Sequence, residues 1–339
     1  MLAHGSGGQL SEELVRSIFA PAFANPALAK MDDSAVLNFP LPAGEGQGEG
    51  SRLAITTDCH VVKPLFFEGG DIGRLAVCGT VNDVAMAGAT PLYMTAGFIL
   101  EEGLPIDTLK RVVASMKEAA EEAGIAIVAG DTKVVEQGGA DGMFITTSAV
   151  GLVLDGVEVS GGNARPGDVV LLSGSVGDHG IAVLSRREGL EFGSPVASDV
   201  APLNHLVAAM LEASPNLRCL RDPTRGGLAT TLNEFASQSG VAIQVEEGLI
   251  PVQPAVQAAC DMLGFDPLYV ANEGKLVAVV PPEEAGRVLE AMHRTRYGED
   301  ARTIGRVLEK PAGKVLMKTR IGGTRIVQRL MGEMLPRIC

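Results

Sequence analysis

The chain has no tryptophan, and aromatic residues make up only 4% of its 339 positions. Cores without large rings must be assembled from Ala, Val, Leu, Ile and Met, and a hydrophobic share of 46% supplies these in quantity. No long run of Lys and Arg occurs and the formal net charge is −13, so the basic footprint of a nucleic-acid binder is missing. No stretch of about 18 uninterrupted apolar residues is found, which argues against a membrane-spanning helix. Residues 1–30 lack a basic start followed by an apolar core, so no secretory signal is expected. The five cysteines, at positions 59, 78, 219, 260 and 339, show no Cys-x-x-Cys spacing. An odd count without a framework predicts a reduced, cytoplasmic protein.

Glycine, by contrast, is plentiful, with 42 residues, and implies many turns and close backbone approaches. The length suggests two domains of ordinary size. Strands are expected over 34–39, 53–58, 92–100, 125–129 and 143–153, the one at 125–129 buried. Helices are expected over 71–88, where Pro91 follows as a breaker, and over 106–123. In the latter Leu109, Val112, Val113, Met116 and Ala120 share one face and Gly124 is placed to end it. A turn-rich stretch near 155–167 marks a boundary. Beyond it come strands over 169–173, 241–245, 276–280, 302–308 and 314–319. Helices are expected near 178–188, 199–213 and 254–263, and after Thr224. Residues 41–51, rich in Gly and Glu, read as an exposed loop. The fold class is α+β, divided as 1–155, 156–310 and a closing strand and tail over 311–339.

Four acids stand out by their surroundings. Asp32 and Asp33 precede an apolar strand, Asp58 closes another, and Asp83 sits in a helix of small apolar residues. A carboxylate there is expensive to bury without a compensating cation or donor. Asp131 follows a strand, where α/β folds place their sites. Each alone reads equally as a helix cap or turn acid. Together, hard oxygens near glycines suit Mg²⁺ and a polyphosphate, and Asn82 offers a neutral oxygen. His4-Gly5-Ser6-Gly7-Gly8 can turn several backbone N–H groups toward a phosphate, although no Gly-Lys-Ser/Thr follows. Asp222-Pro223-Thr224-Arg225-Gly226-Gly227 reads as a helix start that also offers a further acid and a cation. Lys133 and Glu273 are further charged candidates. His179, in a strand-to-helix turn, reads as a packing residue. The last residue, Cys339, ends a tail that a pocket can admit like a substrate.

In chain order, His4 to Gly8, Asp32-Asp33-Ser34-Ala35, Thr56-Thr57-Asp58, Asn82 to Ala89, Gly130-Asp131-Thr132 and Asp222 to Gly227 resemble the aminoimidazole ribonucleotide synthetase-like (PurM-like) ATPases across almost the whole chain. Within that group Pro336-Arg337-Ile338-Cys339 resembles the close of the HypE family of hydrogenase maturation factors. The selenophosphate synthetases fit less well, because their glycine-rich loop usually carries a thiol or selenol where this chain has Ser6. Thiamine monophosphate kinases have no use for a terminal cysteine.

The resemblance implies a two-domain PurM-like fold whose N-terminal domain forms the dimer and the ATP site. It implies a homodimer that uses ATP and Mg²⁺. Gly5, Gly7, Gly8, Asp33, Asp58, Asn82, Asp83, Asp131, Thr132, Asp222 and Arg225 would surround the nucleotide. Asp33, Asp58, Asp83 and Asp222 would hold the metal, with Asp33 favoured over Asp32. Cys339 would receive a carbamoyl group from a HypF-like carbamoyltransferase. ATP would drive its dehydration to a thiocyanate, and the cyanide would pass to iron on a HypC–HypD complex. Lys133 and Glu273 would move protons, either one being the base.

Overall fold

The computed structural model describes residues 8–38, 52–190, 195–330, 335 and 338–339. The expected loop over 41–51, the start His4-Gly5-Ser6-Gly7, the pair Pro336-Arg337 and the end of the first expected strand at Phe39 lie outside these residues.

The first half begins with helix α1 (Gly8–Leu14), which runs through a wider turn (Val15–Phe19) into the short α2 (Ala20–Ala22). Strands β1 (Ala35–Asn38) and β2 (Arg52–His60) follow, then the two-residue strands β3 (Phe66–Phe67) and β4 (Gly70–Asp71). After them come α3 (Ile72–Met86), β5 (Ala89–Glu101), α4 (Ile106–Ala123), β6 (Ala126–Val135) and β7 (Met143–Val153). The sheet order is β1-β2-β7-β5-β6. Asp71 starts α3 by accepting hydrogen bonds from the backbone N–H groups of Gly73 (2.7 Å) and Arg74 (3.2 Å), donors the helix itself leaves unused. Gly124, at φ 71°, ends α4. Pro91 does not separate helix from strand as expected. It lies inside β5, where the missing N–H coincides with a register shift between Pro91 and Tyr93.

The second half holds β8 (Val169–Leu172), α5 (Asp178–Glu188), α6 (Asn204–Ala213), β9 (Cys219–Arg221), α7 (Gly227–Ser239) and β10 (Ala242–Glu246). It continues with α8 (Pro254–Leu263), β11 (Val277–Val280), α9 (Pro282–His293), β12 (Arg302–Leu308), β13 (Lys314–Lys318) and β14 (Thr324–Val327). The order is β14-β13-β10-β12-β8-β11-β9. Both faces of its centre are covered. Val170, Leu172, Val277 and Val279 enter one apolar cluster, while Leu171, Ala278 and Val280 enter another. Successive side chains of a strand point to opposite faces, so each strand serves two cores.

Three expectations need correction. The strand expected to be buried over 125–129 is β6, whose residues from Ala126 to Val134 are exposed. Its apolar side chains have no cover among the described residues. The helix expected from 199 starts at Asn204; Asn82 accepts a hydrogen bond from the N–H of Leu203 (2.7 Å), and the segment before it is irregular. Helices α1 and α9 were not anticipated, nor were strands β9 and β14, which are only three and four residues long.

Candidate active site

A cavity of about 680 Å³ opens between the halves and brings together Asp33, Asp58, Asp83, Asp222, Arg225, Glu273 and Cys339. Alternation along β2 puts Thr56, Asp58 and His60 on its inner face. Thr56 donates its hydroxyl to Asp83 Oδ2 at 2.9 Å, from across the gap to α3. Asp222 follows β9 directly, and the turn that carries Arg225 enters α7 through Gly226 (φ 81°) and Gly227 (φ 60°). A Cβ on Gly227 would lie 2.6 Å from the carbonyl oxygens of Leu268 and Val270, so the turn can pack this closely only without a side chain.

The acids crowd one another. Burial pushes the Asp83 carboxyl well above the usual range, and Asp222, Asp58 and Asp33 push it further. Asp222 is pushed up to about 8, first by burial and then by Asp33, against the pull of Arg221. Asp33 is also raised by burial, although Arg221 Nε sits 2.8 Å from its Oδ1. Among the described residues no three His, Cys, Asp or Glu side chains are gathered closely enough to enclose a metal ion. The donor set nevertheless fits one: hard carboxylate oxygens whose mutual repulsion a divalent cation would relieve.

Glu273 is buried, and its Oε1 has no hydrogen-bond partner among the described residues. Burial, Asp222 and Asp58 raise its carboxyl well above the ordinary value. The Cys339 thiol is pushed up to about 12 by burial, with Arg225 opposing. Arg225 in turn is held above the usual guanidinium range, first by Cys339. The N–H of Val61 donates to the Cys339 carbonyl at 3.0 Å, and Leu335 and Ile338 are buried in the larger apolar cluster.

Other expected residues stand elsewhere. Lys133 and Asp131 form an exposed ion pair at 2.9 Å on β6, with side chains 71% and 73% accessible, and Thr132 lies between them. Strands β7 and β5 separate β6 from β2, a lateral offset of about 14 Å at the usual strand spacing. Asn82 does not line the cavity. Its amide donates to the carbonyls of Ala201 (3.1 Å) and Glu273 (3.5 Å), tying α3 to the second half. Asp32 accepts hydrogen bonds from Ser160 Oγ (2.9 Å) and the N–H of Gly161 (3.0 Å), leaving Asp33 to face Arg221. Gly8 opens α1, while Gly5 and Gly7 lie outside the described residues.

Arg221, His60 and Glu234 line the cavity and were not anticipated. His60 was legible, because it falls two residues after Asp58 in an alternating strand. Arg221, one residue before Asp222, carried no such signal. Its buried pairing with Asp33 and Glu234 is a tertiary fact.

Residues 31–153 match the family model described as AIR synthase related protein, N-terminal domain, and residues 165–318 match the corresponding C-terminal domain. The carbamoyl dehydratase HypE of Cupriavidus necator is 56% identical over 338 residues, covering 100% of this chain and 94% of that protein. A solved HypE–HypF complex contains a chain with 50% identity and a TM-score of 0.87, covering 94% of this chain and 99% of that one. A HypE structure in complex with ATP has 49% identity and a TM-score of 0.82, covering 100% of this chain and 99% of that one. The chain belongs to the AIR synthase related proteins and, within them, to the HypE family.

Proposed function

We propose that this chain is an ATP-dependent carbamoyl dehydratase whose substrate is carried on its own Cys339. The observation that carries this reading is the thiol of Cys339 in the same cavity as four aspartates, Arg225 and Glu273. The net change converts S–C(=O)–NH₂ and ATP into S–C≡N, ADP and phosphate. The carbamoyl oxygen takes the terminal phosphoryl group of ATP, which makes phosphate rather than hydroxide the leaving group. The C–O bond then breaks, and two N–H protons are lost over the two stages.

Mg²⁺ held by Asp33, Asp58, Asp83 and Asp222 would neutralise charge on the nucleotide phosphates, where positioning and electrostatics dominate phosphoryl transfer. Glu273 takes protons from nitrogen. A carboxylate whose proton affinity is raised by burial is a stronger base than an exposed glutamate. Arg225 faces the sulfur-bearing group and steadies charge on the oxygen.

Lys133 enters this scheme through a second copy of the chain. The apolar residues of β6, Val128 and Val134, are 57% and 68% exposed, and Tyr93 and Ile99 on β5 are 53% and 41% exposed. Ile99 pairs with Lys133 and shares its face, while Val134 pairs with the buried Leu100 on the other face, so the edge strand β6 is uncovered on both sides. Exposed apolar side chains of this kind favour burial against a partner. A homodimer over this edge would present Asp131, Thr132 and Lys133 to the neighbouring cavity. The carbamoyl group is supplied by a HypF-like carbamoyltransferase, and the cyanide is consumed by iron on a HypC–HypD complex for [NiFe]-hydrogenase. All five cysteines are unpaired, and a carrier thiol needs a reducing compartment, which supports a cytoplasmic reaction. Among the described residues no helix is long and apolar enough to cross a membrane.

The test is intact mass of the protein carbamoylated on Cys339, before and after Mg-ATP. Loss of one water confined to the Cys339 peptide is expected. No mass change, with the carbamoylated peptide present and ATP bound, overturns the reading.

A further inference from the structure

His179 takes no part in the chemistry above, yet it is fully buried and both ring nitrogens are engaged. Nε2 lies 2.7 Å from the carbonyl oxygen of Ile338, and Nδ1 lies 2.8 Å from Ser198 Oγ. A carbonyl only accepts, so Nε2 must carry the proton. Ser198 Oγ already accepts the N–H of Val200 at 3.1 Å, so its hydroxyl proton is free to go to Nδ1. One tautomer of the neutral ring therefore satisfies every group. The ring stands edge-on to Phe67, with centroids 5.4 Å apart and planes at 88°. Burial also lowers its affinity for a second proton.

We propose that His179 is the latch that seats the Ile338–Cys339 segment with its thiol in the cavity, a positioning residue locked as its Nε2–H tautomer by Ser198. Two successive carbonyls of the segment are gripped from opposite halves of the protein. Ile338 is held by His179 from α5, and Cys339 is held by the Val61 N–H just after β2. The thiol follows from the two grips. Without His179 the Ile338 carbonyl is buried and unsatisfied, a cost that favours release of the segment. The latch also touches the machinery of the reaction through adjacent residues. Asp199, next to Ser198, accepts the backbone N–H of Glu273 at 3.0 Å. Seating of the segment and placement of the proton-transfer residue therefore share one short strip of chain. Only this last consequence rests on the carrier reading; the latch stands or falls on the position of the segment.

The experiment follows the alkylation rate of Cys339 in the full-length protein by peptide mass, which separates it from the exposed Cys59. His179→Leu is expected to raise the Cys339 rate about fivefold, the factor that one neutral hydrogen bond commands, with nucleotide affinity unchanged. His179→Gln offers one donor and one acceptor and is expected to restore the rate to within about twofold of the native one. Equal rates in the folded Leu variant and the native protein overturn the latch, as does a Gln variant that releases the thiol as fully as Leu. Should the Leu variant fail to fold, ¹⁵N-histidine spectra of the native protein decide, since only five histidines contribute. An Nε2–H ring at neutral pH upholds the latch, and an Nδ1–H ring or an imidazolium overturns it. None of these readouts requires turnover, so failure of the dehydratase reading would leave them intact.

Discussion

The two halves of the molecule solve the same sheet problem differently. In the second half, β8 and β11 are buried on both faces, and alternate residues feed two separate cores. In the first half, β2 and β7 bury one side only, and β6 is exposed over nearly its whole length. The second half is complete within one chain. The first exposes apolar side chains on β5 and β6, and it carries Asp131 and Lys133 on the uncovered strand. The two halves meet at the acid cavity; on the proposed reading, the first half serves assembly and the second stability.

The most severe way to break this contrast is to charge the open face. Val128→Arg with Val134→Asp is expected to leave a folded single copy by sedimentation, with dehydration lowered on the order of a hundredfold or more through loss of the proton-transfer group from the second copy. Met262→Lys, at a side chain 72% exposed on α8, is expected to leave association and rate alone. A charged β6 variant that keeps the native mass and rate would show that the open face is not the assembly surface. The same idea has a reciprocal form. Lys133→Ala and Glu273→Gln are each expected to abolish turnover, whereas their equimolar mixture recovers about a quarter of the native rate, since half the pairs are mixed and each has one intact site. No recovery after subunit exchange would place both residues in one chain's site or neither.

The regular part of the fold was legible before the structure. Residues 106–123 have a single apolar face and a glycine stop, and α4 spans Ile106–Ala123. Residues 143–153 became β7 unchanged. The acids were legible as a group because carboxylates at apolar strand ends demand compensation, and Asp33, Asp58, Asp83 and Asp222 do share one cavity. Other features were not legible. An apolar run reports that a strand wants cover and not who supplies it, so β6 read as buried. Asn82 is chemically suited to hold a ligand, but its amide bridges Ala201 and Glu273, which are 119 and 191 residues away. The grip of His179 on Ile338 spans 159 residues and leaves no local trace.

Truncation sharpens the comparison on the stability side. Val279 on β11 is fully buried, and Val279→Ala is expected to cost about 2–3 kcal/mol by denaturant unfolding, from lost transfer energy and the cavity left behind. Val128→Ala, measured at a dilution where single copies prevail, is expected to stay within about 0.5 kcal/mol. Equal costs at the two sites would mean that β6 is covered within its own chain.

The smallest effect concerns protons. Asp131 on the open strand is held below the usual carboxylate range by Lys133 and the Thr132 N–H. Asp178 in the closed half is pushed up to about 6 by burial, against the hydrogen bond from Ser175. For a carboxyl raised on folding, the folded state binds more protons than the unfolded one between the two values. Stability from this group is therefore fully present below about pH 4 and is lost as pH rises through 6. Asp178→Asn keeps an acceptor for Ser175 and has no charge to desolvate. It is expected to match the native protein near pH 4 and to exceed it at pH 7.5 by about 1–2 kcal/mol in denaturant titrations. A variant that is instead weaker at pH 7.5 would mean that the ionised carboxylate is stabilised in place, with Lys275 outweighing burial. The closed half would then carry its acids on the same terms as the open one.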